Sequence, residues 1–329
     1  MNVNGQASSI DVFEELWSEF EQQYAGFEIR GIDWDKLYDT YRLQINEHSD
    51  PENLFEVCCE LLQELQDSHV NLIDKTGSQV NRCNSNDFPN STSILREYSE
   101  YDFYNIVDGT LYSNGFAPLK KRQVIEYSKS DSIGYIRISK MSENSKGLNQ
   151  ALDELRDTKG IILDIRLNPG GNDQYLYQIA GRFADKKRIG HYKKDRIKGT
   201  NNFSKAKAWH LKPNGKYQYN KPILILTSDF TASAAEIFVL AMKELPYVRT
   251  IGGVTNGATS HMKPIKLSNG WVVTLSNQIA YSAKMKNYEG KGIEPDIVLK
   301  NNVEGDTDVV LVRAINELNK AQITSSKNP

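Results

Sequence analysis

A serine hydroxyl is a weak nucleophile at its own pKa; it becomes reactive where a fold sets it beside a base and over donors able to hold an anion. Ser233 has a setting of that kind. It lies in Ser228-Asp229-Phe230-Thr231-Ala232-Ser233-Ala234-Ala235-Glu236, after the apolar run Ile223–Leu226 and before an apolar stripe of Ile237, Phe238, Leu240 and Ala241 at helical spacing. A buried strand, a small-residue turn and a helix in that order place Ser233 at a helix N-terminus, where free N–H groups and the dipole favour developing negative charge. The same residues fit a capping box, in which Ser233 merely satisfies the N–H of Glu236. Taken alone, the cap is the simpler reading.

A second turn offers donors. The run Ile161–Leu167 is followed by Asn168-Pro169-Gly170-Gly171-Asn172 and a helical pattern. Paired glycines permit positive φ and close backbone approach. A backbone N–H from this turn, with that of Ala234, would make an oxyanion hole. Pro169 has no N–H, so the donor is Gly170 or Gly171; an ordinary strand-to-helix turn has the same composition. Asp164 and Arg166 stand in an otherwise apolar strand and are expected to pair beside the core rather than to take part in chemistry.

Of the five histidines, His48, His191 and His210 sit in polar segments. His261, after the turn Gly252–Gly257, is a reserve candidate for a base. His69 stands apart because it falls at a helix-to-strand junction beside Asp67 and Ser68. Spacing alone does not tie it to Ser233.

The elements that must hold these residues show in the periodicity. Phe13, Leu16, Trp17, Phe20 and Tyr24 mark a first helix capped by Ser9; Trp34, Leu37, Tyr38, Tyr41 and Ile45 a second after Asp33; Leu54, Cys58, Leu61, Leu62 and Leu65 a third opened by Asp50-Pro51. Val70–Leu72 alternates as a strand. Residues 76–100 are polar and read as loop, and Tyr104–Tyr112 as a hairpin around Asp108-Gly109. Strands are expected near 123–127, 134–138, 161–167, 223–226 and 250–254, and helices at 148–155, 175–183 and 237–241. Such alternation implies right-handed crossovers and largely parallel pairing. Ser268-Asn269-Gly270 turns a hairpin into the arm Trp271–Tyr281. A last helix through Leu311, Ile315 and Leu318 is capped near Asp306, and the tail after Thr324 is polar.

Composition excludes several classes. With 39% hydrophobic and 25% charged residues in 329, the chain reads as globular and long enough for a substantial core. A net charge of −2 gives no reason to expect nucleic acid, and no apolar run reaches the ~20 residues of a membrane span. Cys58, Cys59 and Cys83 have no metal-ligand spacing, and their odd number argues against a disulfide framework. Residues 186–198 hold seven cations (Lys186, Lys187, Arg188, Lys193, Lys194, Arg196, Lys198) against Asp195, and read as a solvated flap or, alternatively, as a basic rim for an acidic ligand.

In one order the chain carries Asp67-Ser68-His69, Leu163-Asp-Ile-Arg-Leu-Asn-Pro-Gly-Gly171, Thr231-Ala-Ser-Ala-Ala-Glu236, Ile251-Gly-Gly-Val-Thr-Asn-Gly257 and Glu289-Gly-Lys-Gly-Ile-Glu-Pro-Asp296. This resembles the C-terminal processing peptidase family, and within it the tricorn-core branch that includes the interphotoreceptor retinoid-binding protein repeats. The resemblance implies an N-terminal helical subdomain on a crotonase/ClpP-like β-α core with added hairpins, and the divisions 1–75, 76–130 and 131–329. It implies Ser233 as nucleophile, His69 as general base, Ser68 and Glu289 as the groups that orient and polarise the imidazole, and Gly170 or Gly171 with Ala234 as the oxyanion hole.

Some features depart from the family pattern. No lysine follows the turn at Asn256-Gly257-Ala258-Thr259, so a Ser–Lys dyad is not expected, and Lys263 lies off the pattern. Pro169 stands where relatives often have glycine. The stretch 72–133 is too short and polar for a complete PDZ module. The expected activity is a serine endopeptidase or oligopeptidase acting on a peptide or protein substrate with no cofactor or metal. A non-catalytic binder of small apolar ligands or peptides on the same fold, or an esterase, remain alternatives. The start carries no signal-like region; export to the cell envelope after its removal is favoured by the resemblance, with the cytoplasm open. Oligomeric state is not readable.

Overall fold

A computed structural model describes residues 7–75, 80–143, 147–304 and 306–325. The first six residues, residues 76–79 of the expected loop and the last four of the polar tail lie outside the described residues. The chain divides into two units: Met1–Ser91 with Lys193–Lys207 and Ser260–Ala280, and Thr92–Tyr192 with Ala208–Thr259 and Tyr281–Pro329. Strands Arg188–Asp195, Lys207–Leu211 and Gln278–Ser282 carry the chain from one unit into the other.

In the first unit the expected helices form. Helix Ser9–Gln23 is capped by Ser8, one residue before the expected Ser9, through a reciprocal box with Asp11. Asp33 caps Trp34–Tyr41, and Asp50, with Pro51 at the first position, caps Pro51–Gln63. Their stripes make one core containing Phe13, Leu16, Phe20, Leu54, Leu61 and Leu65. Trp17 and Trp34 stack with ring centroids 4.3 Å apart. Each such fully buried side chain contributes roughly 1.5–3 kcal/mol.

The helices cover a four-stranded antiparallel sheet in the order Met262–Lys266, Val272–Ser276, Asn71–Asp74, Asn81–Asn84. The hairpin at Ser268–Gly270 is thus as expected, but its second arm breaks into Val272–Ser276 and Gln278–Ser282. The strand Asn81–Asn84 replaces part of the expected loop and places Cys83 beside Cys59, with which it forms a disulfide at a Cα separation of 5.8 Å. The expectation of no disulfide is therefore corrected. Adjacent Cys58 and Cys59 point to different sides of their helix, so Cys58 stays buried and free while Cys59 reaches the strand.

The second unit is built on a seven-stranded sheet in the order Ile297–Val298, Val248–Gly252, Ile223–Thr227, Gly160–Asp164, Ile133–Ile138, Ile125–Lys129, Lys120–Arg122. The first five pair in parallel and the last two are antiparallel additions. The strands Ile133–Ile138, Gly160–Asp164 and Ile223–Thr227 are buried throughout, which is why they read as continuous apolar runs. The expected Asp108-Gly109 hairpin is instead inside helix Glu100–Ser113, capped by Ser99. Phe103, Val107, Thr110 and Leu111 supply a helical buried stripe that overrides the local turn signal. The last helix, Val309–Ser325, is capped by Asp308 rather than Asp306: Asp308 Oδ1 accepts the N–H groups of Val310 and Leu311, both at 3.1 Å.

The basic stretch is not a loose flap, although Lys186, Lys187 and Lys198 are exposed. It forms strand Arg188–Asp195, Arg188 pairs with Asp185 and Lys198 with Glu19. Arg196 donates to the carbonyls of Glu21, Tyr24 and Thr200.

Candidate active site

Ser233 opens helix Ala234–Met242 with φ 57° and ψ −125°. A non-glycine residue there is strained by about 1–3 kcal/mol, and such strain persists only where neighbours enforce it. Half of the anticipated capping box forms. The Ser233 N–H donates to Glu236 Oε2 at 3.1 Å, while the Glu236 N–H goes to the Ser233 carbonyl at 2.9 Å, so the hydroxyl makes no cap bond. The side chain that a simple cap would consume is left for other work.

The turn before Ser233 is bolted to the glycine turn. Ser228 Oγ donates to the Arg166 carbonyl at 2.6 Å, Thr231 Oγ1 to that of Ile165 at 3.0 Å, and the Ala232 N–H to that of Asn168 at 3.2 Å. Gly170, at φ 103°, is pressed against the serine: a Cβ there would lie 2.7 Å from Ser233 Cβ and 2.9 Å from Ala234 N. Ser233, Ala234 and the glycine turn therefore lie together.

The donors differ within that turn. The Gly170 N–H donates to Asn168 Oδ1 at 2.9 Å, an Asx turn whose amide is itself held by the Ile138 carbonyl at 2.9 Å. The N–H groups of Gly171 and Ala234 donate to no acceptor among the described residues. Gly171 is fixed by its bridge to Met141, with Met141 N–H on Gly170 O at 2.8 Å and Asn172 N–H on Met141 O at 2.9 Å.

Glu236 is fully buried and collects four donors. Besides Ser233, it accepts from Thr255 Oγ1 at 2.6 Å and from the N–H groups of Gly257 and Ala258 at 2.8 Å each. Burial pushes its carboxyl up to about 7, against the pull of those hydrogen bonds. The segment it holds continues to Thr259, whose N–H and Oγ1 donate to Glu289 Oε2 at 2.9 and 2.8 Å. Glu289 is buried, so it is not the plain exposed loop acid its setting suggests.

Ser68 and His69 belong to the first unit, in the tight link between helix Pro51–Gln63 and strand Asn71–Asp74. The Val70 N–H closes a turn on the Asp67 carbonyl at 2.8 Å. Thr274 Oγ1 donates to the His69 carbonyl at 2.6 Å, and Asn86 Nδ2 reaches Ser68 Oγ at 2.8 Å. The His69 imidazole is buried, and its Nδ1 has no hydrogen-bond partner among the described residues. Burial holds its pKa below the usual histidine value; Asp67 opposes that, while His261, Arg30 and Lys193 reinforce it.

The remaining candidates fall elsewhere. His48 and His261 are exposed, and His191 Nδ1 is 2.6 Å from the Tyr177 hydroxyl, stacked between Tyr177 and Trp209. Lys263 donates to Gln23 Oε1. Asp164 and Arg166 form the expected buried pair, with Arg166 also 2.7 Å from Asp308. Sequence reasoning did not single out Asn168, Ser228, Thr231 or Thr259; the only local sign was the Asn-Pro-Gly and Ser-x-x-Thr composition of the turns.

A strained serine at a helix start, faced by a glycine turn on a parallel sheet, is an arrangement open to more than one class of α/β protein. Comparison narrows it: the model for peptidase family S41 matches residues 132–299, just over half of the chain, and that for the tricorn protease C1 domain matches residues 10–63. The chain belongs to peptidase family S41. It is 31% identical over 173 residues to the carboxy-terminal processing protease CtpA of Bacillus subtilis (strain 168), covering 51% of this chain and 35% of that protein. A carboxy-terminal-processing protease of Bartonella bacilliformis (strain ATCC 35685 / KC583 / Herrer 020/F12,63) is 27% identical over 187 residues, covering 55% of this chain and 42% of its own. The chain thus spans less than half the length of these curated relatives. The crystal structure of a "putative peptidase" from Parabacteroides merdae ATCC 43184 superposes with a TM-score of 0.81 at 26% identity, covering 95% of this chain and 97% of that one. The mixed α/β architecture, with its N-terminal helices and large sheet, is shared with that structure.

Proposed function

We propose that this protein is a serine peptidase that cleaves peptide bonds through an acyl-enzyme on Ser233. The observation that carries the reading is the Ser233 backbone at φ 57°, held by Glu236 and packed on Gly170, with its hydroxyl left out of the cap. In this reading His69, kept neutral near pH 7 by burial, takes the hydroxyl proton as Ser233 attacks the peptide carbonyl. The tetrahedral oxyanion is received by the N–H groups of Ala234 and Gly171, and Gly170 serves by its lack of a side chain, since its own N–H is held by Asn168. Collapse expels the amine, which carries off the proton from His69. Water, activated by the same imidazole, then releases the acyl group. Ser68 and Glu289 orient and polarise the imidazole, with Glu289 set by Thr259.

The test is hydrolysis of a panel of peptides by the purified chain, with Ser233→Ala and His69→Ala as controls. Turnover lost by at least about a thousandfold in both variants supports the reading. Turnover that survives Ser233→Ala contradicts it.

A further inference from the structure

Behind His69 lies a carboxylate that the proposed mechanism does not use. Asp67 is fully buried, 0% exposed. Its Oδ1 accepts the His69 N–H at 2.9 Å, its Oδ2 accepts the Tyr24 hydroxyl at 3.0 Å, and Arg30 Nη2 stands 3.8 Å from Oδ1. Its own N–H donates to Ser85 Oγ at 3.2 Å, and Ser85 Oγ donates in turn to the Leu62 carbonyl. The carboxylate is thus reached from the end of helix Ser9–Gln23 and from helix Phe27–Arg30, while the Asp67 backbone is held from the chain after strand Asn81–Asn84.

An Asx turn needs no buried charge; an asparagine or serine would close the same turn on the surface. Burying a carboxylate costs several kcal/mol unless it is hydrogen-bonded or paired. Here it receives both, two residues from an imidazole with which it interacts. Among the charges that act on that imidazole, Asp67 favours its protonated form, while His261, Arg30 and Lys193 oppose it.

We infer that Asp67 is a positioning residue for His69, holding its backbone through Oδ1 and presenting a buried negative charge to its imidazole. Tyr24 and Arg30 keep that carboxylate in place, and Arg30 partly offsets its charge. The role rests on the reading of His69 as the general base, but the interaction itself can be measured without any turnover.

The experiment is an NMR titration of the His69 ring in the full chain, with the resonance assigned by its loss in His69→Gln. Asp67→Asn is expected to move the midpoint down by about half to one pH unit, because the favourable negative charge is removed. Arg30→Gln is expected to move it up, because an unfavourable positive charge is removed. A merely structural Asx turn would not produce shifts of opposite sign. An unchanged midpoint in both variants overturns the inference; if Asp67→Asn does not fold, an unchanged midpoint in Arg30→Gln overturns it alone. Peptide turnover by the same samples separates the two levels. The expected shifts without hydrolysis in the wild type would remove the peptidase reading and leave the Asp67–His69 coupling standing.

Discussion

At Gly170 the fold leaves no room for a methyl group. Ala232 O, Ser233 Cβ and Ala234 N all lie within 2.9 Å of where it would be, and the backbone φ of 103° disfavours any side chain. Gly170→Ala therefore has to displace the serine turn, at a cost of about 1–3 kcal/mol. The expected result is a kcat reduced ten- to a hundredfold with a lower Tm, read by steady-state kinetics and thermal melts. His69 sets a pH dependence. Its folded pKa lies below the value of about 6.5 of the unfolded chain. Folding therefore favours the neutral ring: this contribution to stability is complete above about pH 6.5 and is lost as pH falls towards the folded pKa. The acid limb of kcat/KM should likewise fall below pH 6.5, and His69→Gln should remove the matching slope in denaturant midpoints between pH 7.5 and 5. Ser233 itself shows why residue types alone were ambiguous. Ser-x-x-Glu reads as a box, and only the positive φ, invisible in the sequence, separates the hydroxyl from the cap.

Among the elements, strand Gly160–Asp164 ends in a buried charge cluster that anchors the glycine turn. Arg166 is fully buried, donates to Asp164 at 3.0 and 2.6 Å and pairs with Asp308 at 2.7 Å, at the start of the last helix. Asp308→Ala removes one of the two carboxylates on Arg166 and the cap of the last helix while Asp164 stays paired, so it is expected to cost about 2–4 kcal/mol, measured by urea unfolding. Burial alone would raise the Asp164 pKa, but Arg166 and its hydrogen bonds hold it below the usual carboxylate range. Its contribution is present above about pH 4 and lost as pH falls through the lower folded value. The disulfide between Cys59 and Cys83 closes a separation of 24 residues. Cys83→Ala is expected to destabilise the protein by about 3 kcal/mol relative to the oxidised form, and reductant should do the same. Legibility followed burial. Strongly periodic helices and fully apolar strands were readable to within a few residues, whereas Glu100–Ser113 was hidden by an Asp-Gly pair and Asn81–Asn84 by its polar composition. The missed strand is also what concealed the disulfide.

At the scale of the whole chain, no helix among the described residues is long and apolar enough to cross a membrane. Each unit has its own apolar core, and each carries part of the proposed machinery: Ser68, His69 and Asp67 in the first, Ser233, Ala234, the glycine turn and Glu289 in the second. The family was legible because its motifs recur in order along the chain, and the match over residues 132–299 agrees with it. The return of residues 260–280 to the first unit was not legible, since strand pairing over some 200 residues, as between Asn71 and Thr274, leaves no local mark. The central claim is that His69 activates Ser233, and an active-site phosphonate with mass-spectrometric mapping tests it most directly. The account predicts that the folded wild type is labelled at Ser233 and that His69→Ala slows labelling by at least about a hundredfold while the chain stays folded. Absence of label at Ser233 in folded wild type, or labelling at an unchanged rate in His69→Ala, would contradict it.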